Sequence, residues 1–423
     1  MKYQIGGKIF RLAEELWPLN RSITGAGSRN TLKILKRENN ELKILNFKSN
    51  SKAFDWKVPL EWVIKDAYIL APDGKKICDF KKNNLHLVQY SHSINKTLTL
   101  NELKKNIHFL KKQPKAIPYV TSYYNKKWGF CLEYNKFKKL KKGNYKVFIN
   151  SFFKKGYLNI GEIILKGKTS KEVLLSTYIC HPSMANNELS GPVVLSQITK
   201  WLKSFSRKYT YRIIFVSETI GSISYLSKNY KVLQNKTIAG FNLSCLGDER
   251  AYSFMPSRNG QTISDKIGLR VIKSKDKNFK FYDWSKRGSD ERQYCSPGID
   301  LPIASLMRSR YGEYKEYHTS LDKLGTVVSK KGLEESYKLI KECIQIIENN
   351  FRPKSKILCE PFLSKRNLYP KFTSKAGFRS KVTDVLTWCD GTNDYLDISN
   401  RSGLSVFDVK KTIKILLKNK LIK

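Results

Sequence analysis

His181, Asn187 and Glu188 share one polar loop, Cys180-His-Pro-Ser-Met-Ala-Asn-Asn-Glu-Leu-Ser-Gly191. An imidazole with a carboxamide six residues on and a carboxylate seven residues on suits metal ligation or proton transfer. The loop follows an apolar run, Val173 to Cys180, which predicts a buried strand. After the loop, Ser190-Gly191-Pro192 opens a helical pattern with Val194, Ile198, Trp201 and Leu202 on one face. Strand, polar loop and helix make half of an α/β unit, and sheets of that kind bind ligands just beyond the carboxyl ends of their strands.

Three further strands are predicted to end in the same way. Tyr211 to Ser217 runs into Glu218-Thr-Ile-Gly221, and Thr237 to Ser244 runs into Cys245-Leu-Gly-Asp248-Glu-Arg250. Leu301 to Met307 runs into a longer segment that carries Arg308, Arg310, Tyr311, Tyr317, His318 and Asp322. Four apolar strands that close on His181 with Glu188, on Glu218, on Asp248 and on His318 point to one shared site. An amphipathic helix from Leu333 to Ile347 is expected to close this α/β region.

The elements around it differ in character. Residues 6–45 read as two helices joined at Trp17-Pro-Leu-Asn-Arg-Ser-Ile-Thr-Gly25, the second running from Thr31 to Asn40. Alternating aromatic segments and a Pro72-Asp73-Gly74 turn make residues 51–118 a small β-rich insert, closed by a helix from Leu100 to Leu110. Residues 119–170 read as a strand meander, and His86, His92 and His108 as structural or surface side chains. The expected core is therefore 1–50 with 119–350, followed by a basic linker at 351–376. Residues 377–423 carry three helices at winged-helix spacing, with Val406, Val409, Ile413 and Leu416 on one face of the third. That unit suits either DNA contact through its Lys-rich third helix or docking to a protein, and docking is the preferred reading.

Composition bounds the rest. The chain has 423 residues, 40% of them apolar and 12% aromatic, enough for a full-sized core and two to three domains. It has no run of 18 apolar residues, and its start lacks the apolar stretch of a signal peptide, so no membrane association and a cytoplasmic location are expected. Eight Cys stand singly, without metal-like spacing, and Cys180, Cys245 and Cys343 fall in apolar patterns. The formal net charge of +43 comes from Lys spread through every segment. A diffuse charge of this kind attracts anions without marking a binding face.

The motifs quoted above, together with Tyr317-His-Thr-Ser-Leu-Asp322, resemble a bacterial family of aminopeptidase-like proteins with the zinc-exopeptidase fold of leucyl aminopeptidases and glutamate carboxypeptidases. The resemblance covers essentially the whole chain. It implies an α/β fold: a mixed sheet with helices on both faces, a small β-rich insert and a C-terminal winged helix. It also implies a hydrolase in which metal-bound water attacks an amide carbonyl and a Glu moves the proton. By the resemblance His181 matches the first His ligand, His318 the last, and Glu218 the general base. The bridging Asp of zinc aminopeptidases falls on Asn187, their Glu ligand on Thr219, and the Asp at the end of the next strand on Ser244.

With those carboxylates replaced, one zinc ion is expected rather than two. Its ligands would be His181, His318 and one of Glu188, Asn187 or Asp248, with Glu188 the first choice. Arg250, Arg292, Arg308 and Arg310 are candidates for holding a substrate carboxylate, Asp290 and Glu291 for an amine, and Tyr311 and Tyr317 for a developing oxyanion. The expected substrate is a small peptide-like or amide-bearing molecule, with an amide on an amino sugar of a surface polysaccharide as one setting. A non-catalytic binder or regulator on the same fold is the alternative, and self-association stays open.

Overall fold

The computed structural model describes residues 3–368 and 380–423; the end of the expected linker and the start of the expected winged helix, at 369–379, lie outside them. The chain divides into two compact units, Met1–Lys341 and Glu342–Lys423.

The first unit is built on an eight-stranded mixed sheet. Its order is Lys43–Lys48, Tyr157–Leu165, Thr210–Val216, Glu172–Tyr178, Thr237–Leu243, Ile303–Met307, Ser253–Met255 and Lys280–Phe281. The four central strands, Thr210–Val216 to Ile303–Met307, run parallel. Every residue of Glu172–Tyr178 and Thr210–Val216 is buried, as strands covered on both faces require. The one cation among them, Arg212, is matched by Glu172 at 2.6 Å and Glu162 at 2.8 Å. The chain leaves Glu172–Tyr178 toward one side of the sheet and returns to its other side with Thr237–Leu243. The four parallel strands thus deliver their C-terminal loops to one rim at a reversal of strand order, where such sheets bind ligands.

Helix Ser190–Leu202 packs hard onto this centre. A Cβ on Gly191 would lie 2.2 Å from Thr177 Oγ1 and 2.7 Å from the Leu243 carbonyl, so only glycine lets the helix start so close to the strands. It is preceded by a wide helical turn, Ala185–Leu189, whose five residues are all buried. Wide turns of this sort are frequent at functional sites.

Most expected elements are present, with differences that have local causes. The second helix starts at Ala26, directly after Gly25, rather than at Thr31. The helix after Glu218 spans Ile220–Lys236. The helix in the insert stops at Lys104, and Ile107–His108 pairs instead with Phe130–Cys131. The strand Asn144–Lys154, expected in the core meander, lies in the insert's four-stranded antiparallel sheet, between Glu61–Leu70 and Ile94–Thr99. Helix Ile263–Lys275 and the strands Ser253–Met255 and Lys280–Phe281 fall where no element was expected.

In the second unit, helices Lys381–Leu386, Tyr395–Ser402 and Val406–Lys418 pack around Val385, Ile398, Val409, Ile413 and Leu416. Gly403, at φ 73°, ends the middle helix as expected. The start of the expected linker belongs to this unit. Lys354 and Lys423 exchange two backbone hydrogen bonds of 2.8 Å, and Lys356 N–H donates to Leu421 O at 2.9 Å. The segment that pairs with the chain's last residues therefore precedes the helices in sequence.

Candidate functional site

The loops at the C-terminal rim bring His181, Glu188, Glu218 and His318 together. His181 is buried, and its Nδ1 lies 2.7 Å from Glu188 Oε2, while its Nε2 lies 3.7 Å from Glu218 Oε2. The wide turn Ala185–Leu189 folds Glu188 back onto the imidazole seven residues before it. The rings of His181 and His318 are 5.5 Å apart between centroids. Tyr119 meets both edge-on at 5.1 Å, and Tyr317 stacks on His318 at 3.8 Å. Glu218 keeps 22% of its side chain exposed, so the cluster opens to solvent at this carboxylate.

Arg21 completes the cluster from the turn between the first two helices. Its guanidinium is fully buried, donates to the carbonyls of His181 at 3.0 Å and Leu16 at 2.6 Å, and lies 4.0 Å from Glu188 Oε1. Cys180 Sγ lies 3.5 Å from His181 Nδ1 and accepts from the Glu218 N–H at 3.2 Å. The electrostatics follow from this packing. Burial alone would lower the His181 pKa, but the sulfur of Cys180 and the carboxylate of Glu188 raise it well above that of a free imidazole. Burial holds the Cys180 thiol up at about 11. Burial, aided by the His181 charge, lowers His318 to about 3 and keeps it neutral. Burial raises the Glu218 carboxyl above its ordinary value, and His181 opposes the shift.

Asp322 and Asp248 hold the loops rather than the cleft. Asp322 accepts from the Asn186 N–H at 2.8 Å, the Asn187 N–H at 3.0 Å and the Tyr314 hydroxyl at 2.9 Å, tying the His318 segment to the His181 loop. Asp248, a candidate ligand from sequence, accepts from Asn186 Nδ2 at 2.8 Å, the Arg250 N–H at 2.9 Å, the Ser309 N–H at 2.9 Å and the Ser309 hydroxyl at 2.8 Å. Its lone pairs are thus committed to the neighbouring loops. Asn187 accepts from the Tyr178 hydroxyl at 3.2 Å, and its Nδ2 is buried without a hydrogen-bond partner.

The expected substrate-binding residues carry other work. Glu291 is buried and accepts from the Tyr311 hydroxyl at 2.7 Å, the Gly288 N–H at 2.8 Å, the Ser289 N–H at 2.9 Å and Asn242 Nδ2 at 3.0 Å. Neither Glu291 nor Tyr311 is left to meet a ligand. Arg250 forks onto Glu316 at 2.7 and 3.1 Å; Arg308 is buried against the Tyr252 ring and pairs with Glu335 at 3.0 Å. Arg310 pairs with Glu313 at 2.9 Å. Asp290 braces the Glu218 loop, accepting from the Thr219 N–H at 2.8 Å and the Ser222 hydroxyl at 2.6 Å. Arg292 donates to Thr219 Oγ1 at 2.7 Å. Thr219 itself is at φ 65°, a rare conformation for a β-branched residue, and these contacts hold it there beside Glu218. Arg21, Asn186, Tyr119 and Asp322 were not singled out from sequence. Arg21 and Asp322 lie inside the quoted motifs, but their contacts span 160 and 136 positions of chain and leave no local pattern.

The donor set decides which metal chemistry suits the cleft. Asn187, Thr219 and Ser244 offer no carboxylate to a second ion. One ion does fit the chemistry of the pair of imidazoles. Glu188 holds His181 Nδ1, as carboxylates commonly do behind a ligating His, and this turns Nε2 toward Glu218. His318 Nε2 is buried without a hydrogen-bond partner. Among the described residues, Cys180, His181 and Glu188 are the set whose donor atoms all lie within 4.8 Å of one another, but there His181 Nδ1 and Glu188 already satisfy each other beside the Arg21 cation.

Comparison with known proteins agrees with this architecture. Residues 10–350 match the model of a family described as a domain of unknown function, DUF4910, and residues 352–423 match a winged helix-turn-helix. A Clostridium acetobutylicum protein named for polysaccharide biosynthesis and an aminopeptidase-like domain is 42% identical, over 99% of this chain and 97% of its own. A crystal structure of a Clostridium acetobutylicum protein titled as a peptidase is also 42% identical; it superposes with a TM-score of 0.93 over 100% of this chain and 97% of that one. The zinc aminopeptidase of Bacillus subtilis shares the fold alone, at 15% identity and a TM-score of 0.56, over 81% of this chain and 94% of its own.

Proposed function

From a chain that belongs to the DUF4910 family and has the fold of bacterial zinc aminopeptidases, we propose an amide-bond hydrolase working where His181, Glu218 and His318 meet. The observation that carries this reading is Glu218. It is the partly exposed carboxylate of a buried polar cluster, at the end of a central parallel strand and 3.7 Å from His181 Nε2.

Glu218 takes a proton from the attacking water as the water oxygen bonds to the amide carbon. It then delivers that proton to the amine as the carbon–nitrogen bond breaks. Its raised pKa suits a group that must both accept and return a proton near neutrality. Arg21 and Glu188 hold the His181 ring in place from behind, and Tyr317 does the same for His318 by stacking. One zinc ion fits on the two imidazoles; when bound it would polarise the carbonyl and lower the pKa of the water. In this reading Glu188 orients His181 instead of ligating the ion, Asn187 lines the cleft, and Asp248 is structural.

The substrate is a small amide. The 42% identical relative is named for polysaccharide biosynthesis, which supports an amide borne on a sugar as the substrate class. No described helix is long and apolar enough to cross a membrane, and a cytoplasmic setting goes with this reading. One observation favours a second reading, a binding protein without catalysis: Asn187, Thr219 and Ser244 stand where the aminopeptidases carry carboxylates. The purified protein should be assayed for amine release from aminoacyl anilides and N-acylated amino sugars, alongside its zinc content. Release that falls on chelation and in His181→Ala and His318→Ala supports the hydrolase. A metal-free protein that hydrolyses none of them contradicts it.

A further inference from the structure

The first unit carries a groove of 410 Å³, a volume typical of small-molecule sites. One wall is the helix that follows Glu218, through Ile223, Leu226 and Tyr230; another is the segment from Gln293 to Ile299, which begins next to the Arg292 that bonds Thr219. The rim is aromatic. Phe54 is 44% exposed, Trp56 42% and Tyr124 57%. Phe54 meets Tyr230 edge-on at 5.8 Å, and Trp56 lies 6.3 Å from Tyr124. Tyr123, next in the chain to Tyr124, is 44% exposed and stacks on Tyr90 at 5.8 Å. Aromatic faces thus line the groove and flank it.

Packing leaves the rings of Phe54, Trp56 and Tyr124 exposed. Phe54 is the first residue of a two-residue hairpin turn between Lys52–Ala53 and Trp56–Lys57, and its φ is 52°. Hairpins fill such a position with Gly or Asn, and a bulky aromatic there is strained. Tyr123 is likewise at φ 42°. Residues held in rare conformations gather at binding sites, where the strain aims a side chain. Charge narrows the ligand. The chain carries 79 Lys and Arg, yet among the described residues none lines this groove; Asp55, Gln293 and Ser296 supply its polar groups. A phosphate-rich ligand would find no partner there, whereas a pyranose ring offers apolar C–H faces to the aromatics and hydroxyls to the carboxylate, carboxamide and hydroxyl.

We propose that this groove is a saccharide subsite: Phe54, Trp56, Tyr124 and Tyr230 stack on the rings of a neutral sugar chain and present its amide to Glu218. This rests on the hydrolase reading above and gives its sugar-borne substrate a place to bind. The test is titration of a panel of neutral oligosaccharides, N-acetylated and plain, followed by Trp fluorescence and by saturation-transfer NMR. Wild type, Glu218→Gln and the double variant Phe54→Gly with Trp56→Ala are compared. Gly suits the Phe54 turn, so the double variant should melt with wild type. The expected result is equal binding by wild type and Glu218→Gln, and at least tenfold weaker binding by the double variant. The proposal is overturned if no saccharide binds wild type, if the double variant binds as wild type does, or if single-stranded oligonucleotide or apolar peptide takes these rings instead. Binding that depends on Phe54 and Trp56 without any amide hydrolysis would keep the subsite and remove the hydrolase. Hydrolysis of amides that ignores both residues would do the reverse.

Discussion

Around Glu218 the residues divide into those that face the cleft and those that hold them. Asp290 belongs to the second group, and its environment makes it measurable. Burial first, and the nearby Glu218 charge second, raise its pKa from 3.8 to about 7. The fold therefore favours the protonated form. The stabilisation is complete below the unfolded pKa near 4 and is lost as pH rises through about 7. Wild-type stability relative to Asp290→Asn should fall across that window by at most about 4 kcal/mol, at 1.36 kcal/mol per unit. Urea unfolding of the two proteins at pH 4 and pH 8 measures it; a constant difference would mean that Asp290 titrates normally. His181, Glu218 and His318 were legible from sequence because each lies on a segment that follows an apolar strand. Arg250, Arg308, Glu291 and Tyr311 looked equally chemical, yet the fold spends them on one another and on Glu316 and Glu335. A charge on a rim loop reads the same in sequence whether its partner is a substrate or a neighbouring side chain.

The elements that position the site are the parallel strands and the helix that starts at Ser190. Gly191 joins them, and Gly191→Ala would push a methyl into the Leu243 carbonyl and Thr177. The expected loss is about 1–3 kcal/mol, the usual cost of overpacking, read from the midpoint of urea unfolding; an unchanged midpoint would show that the helix start can shift. Strands such as Glu172–Tyr178 were plain because, with all seven residues buried, Val173, Leu174, Leu175 and Tyr178 leave a largely apolar run. Ser253–Met255 and Lys280–Phe281 were not, since strands of three and two residues have no period to detect. Asn144–Lys154 was recognised as a strand but assigned to the core, because which sheet a strand joins is fixed by long-range pairing and not by its own alternation. Lys354–Lys356, in a segment that reads as basic linker, pairs with the chain's last residues for the same reason.

At the scale of the whole molecule, the net charge of +43 is spread over the chain rather than gathered at the winged helix. Duplex DNA should accordingly bind weakly, with the same affinity for unrelated sequences and a steep fall in affinity between 50 and 200 mM salt, on the order of that seen for non-specific binding. A gel shift that survives 200 mM salt for one sequence alone would instead make the winged helix a sequence reader. In the proposed function the α/β core carries the chemistry, and Glu218 is where it can be tested most directly. The measurement is the rate of amine release by Glu218→Gln against wild type on a substrate that the wild type cleaves, with melting temperature as the control for folding. The account predicts a loss of at least 100-fold, the scale of removing a general base, at an unchanged melting temperature. Turnover within a few-fold of wild type would contradict it.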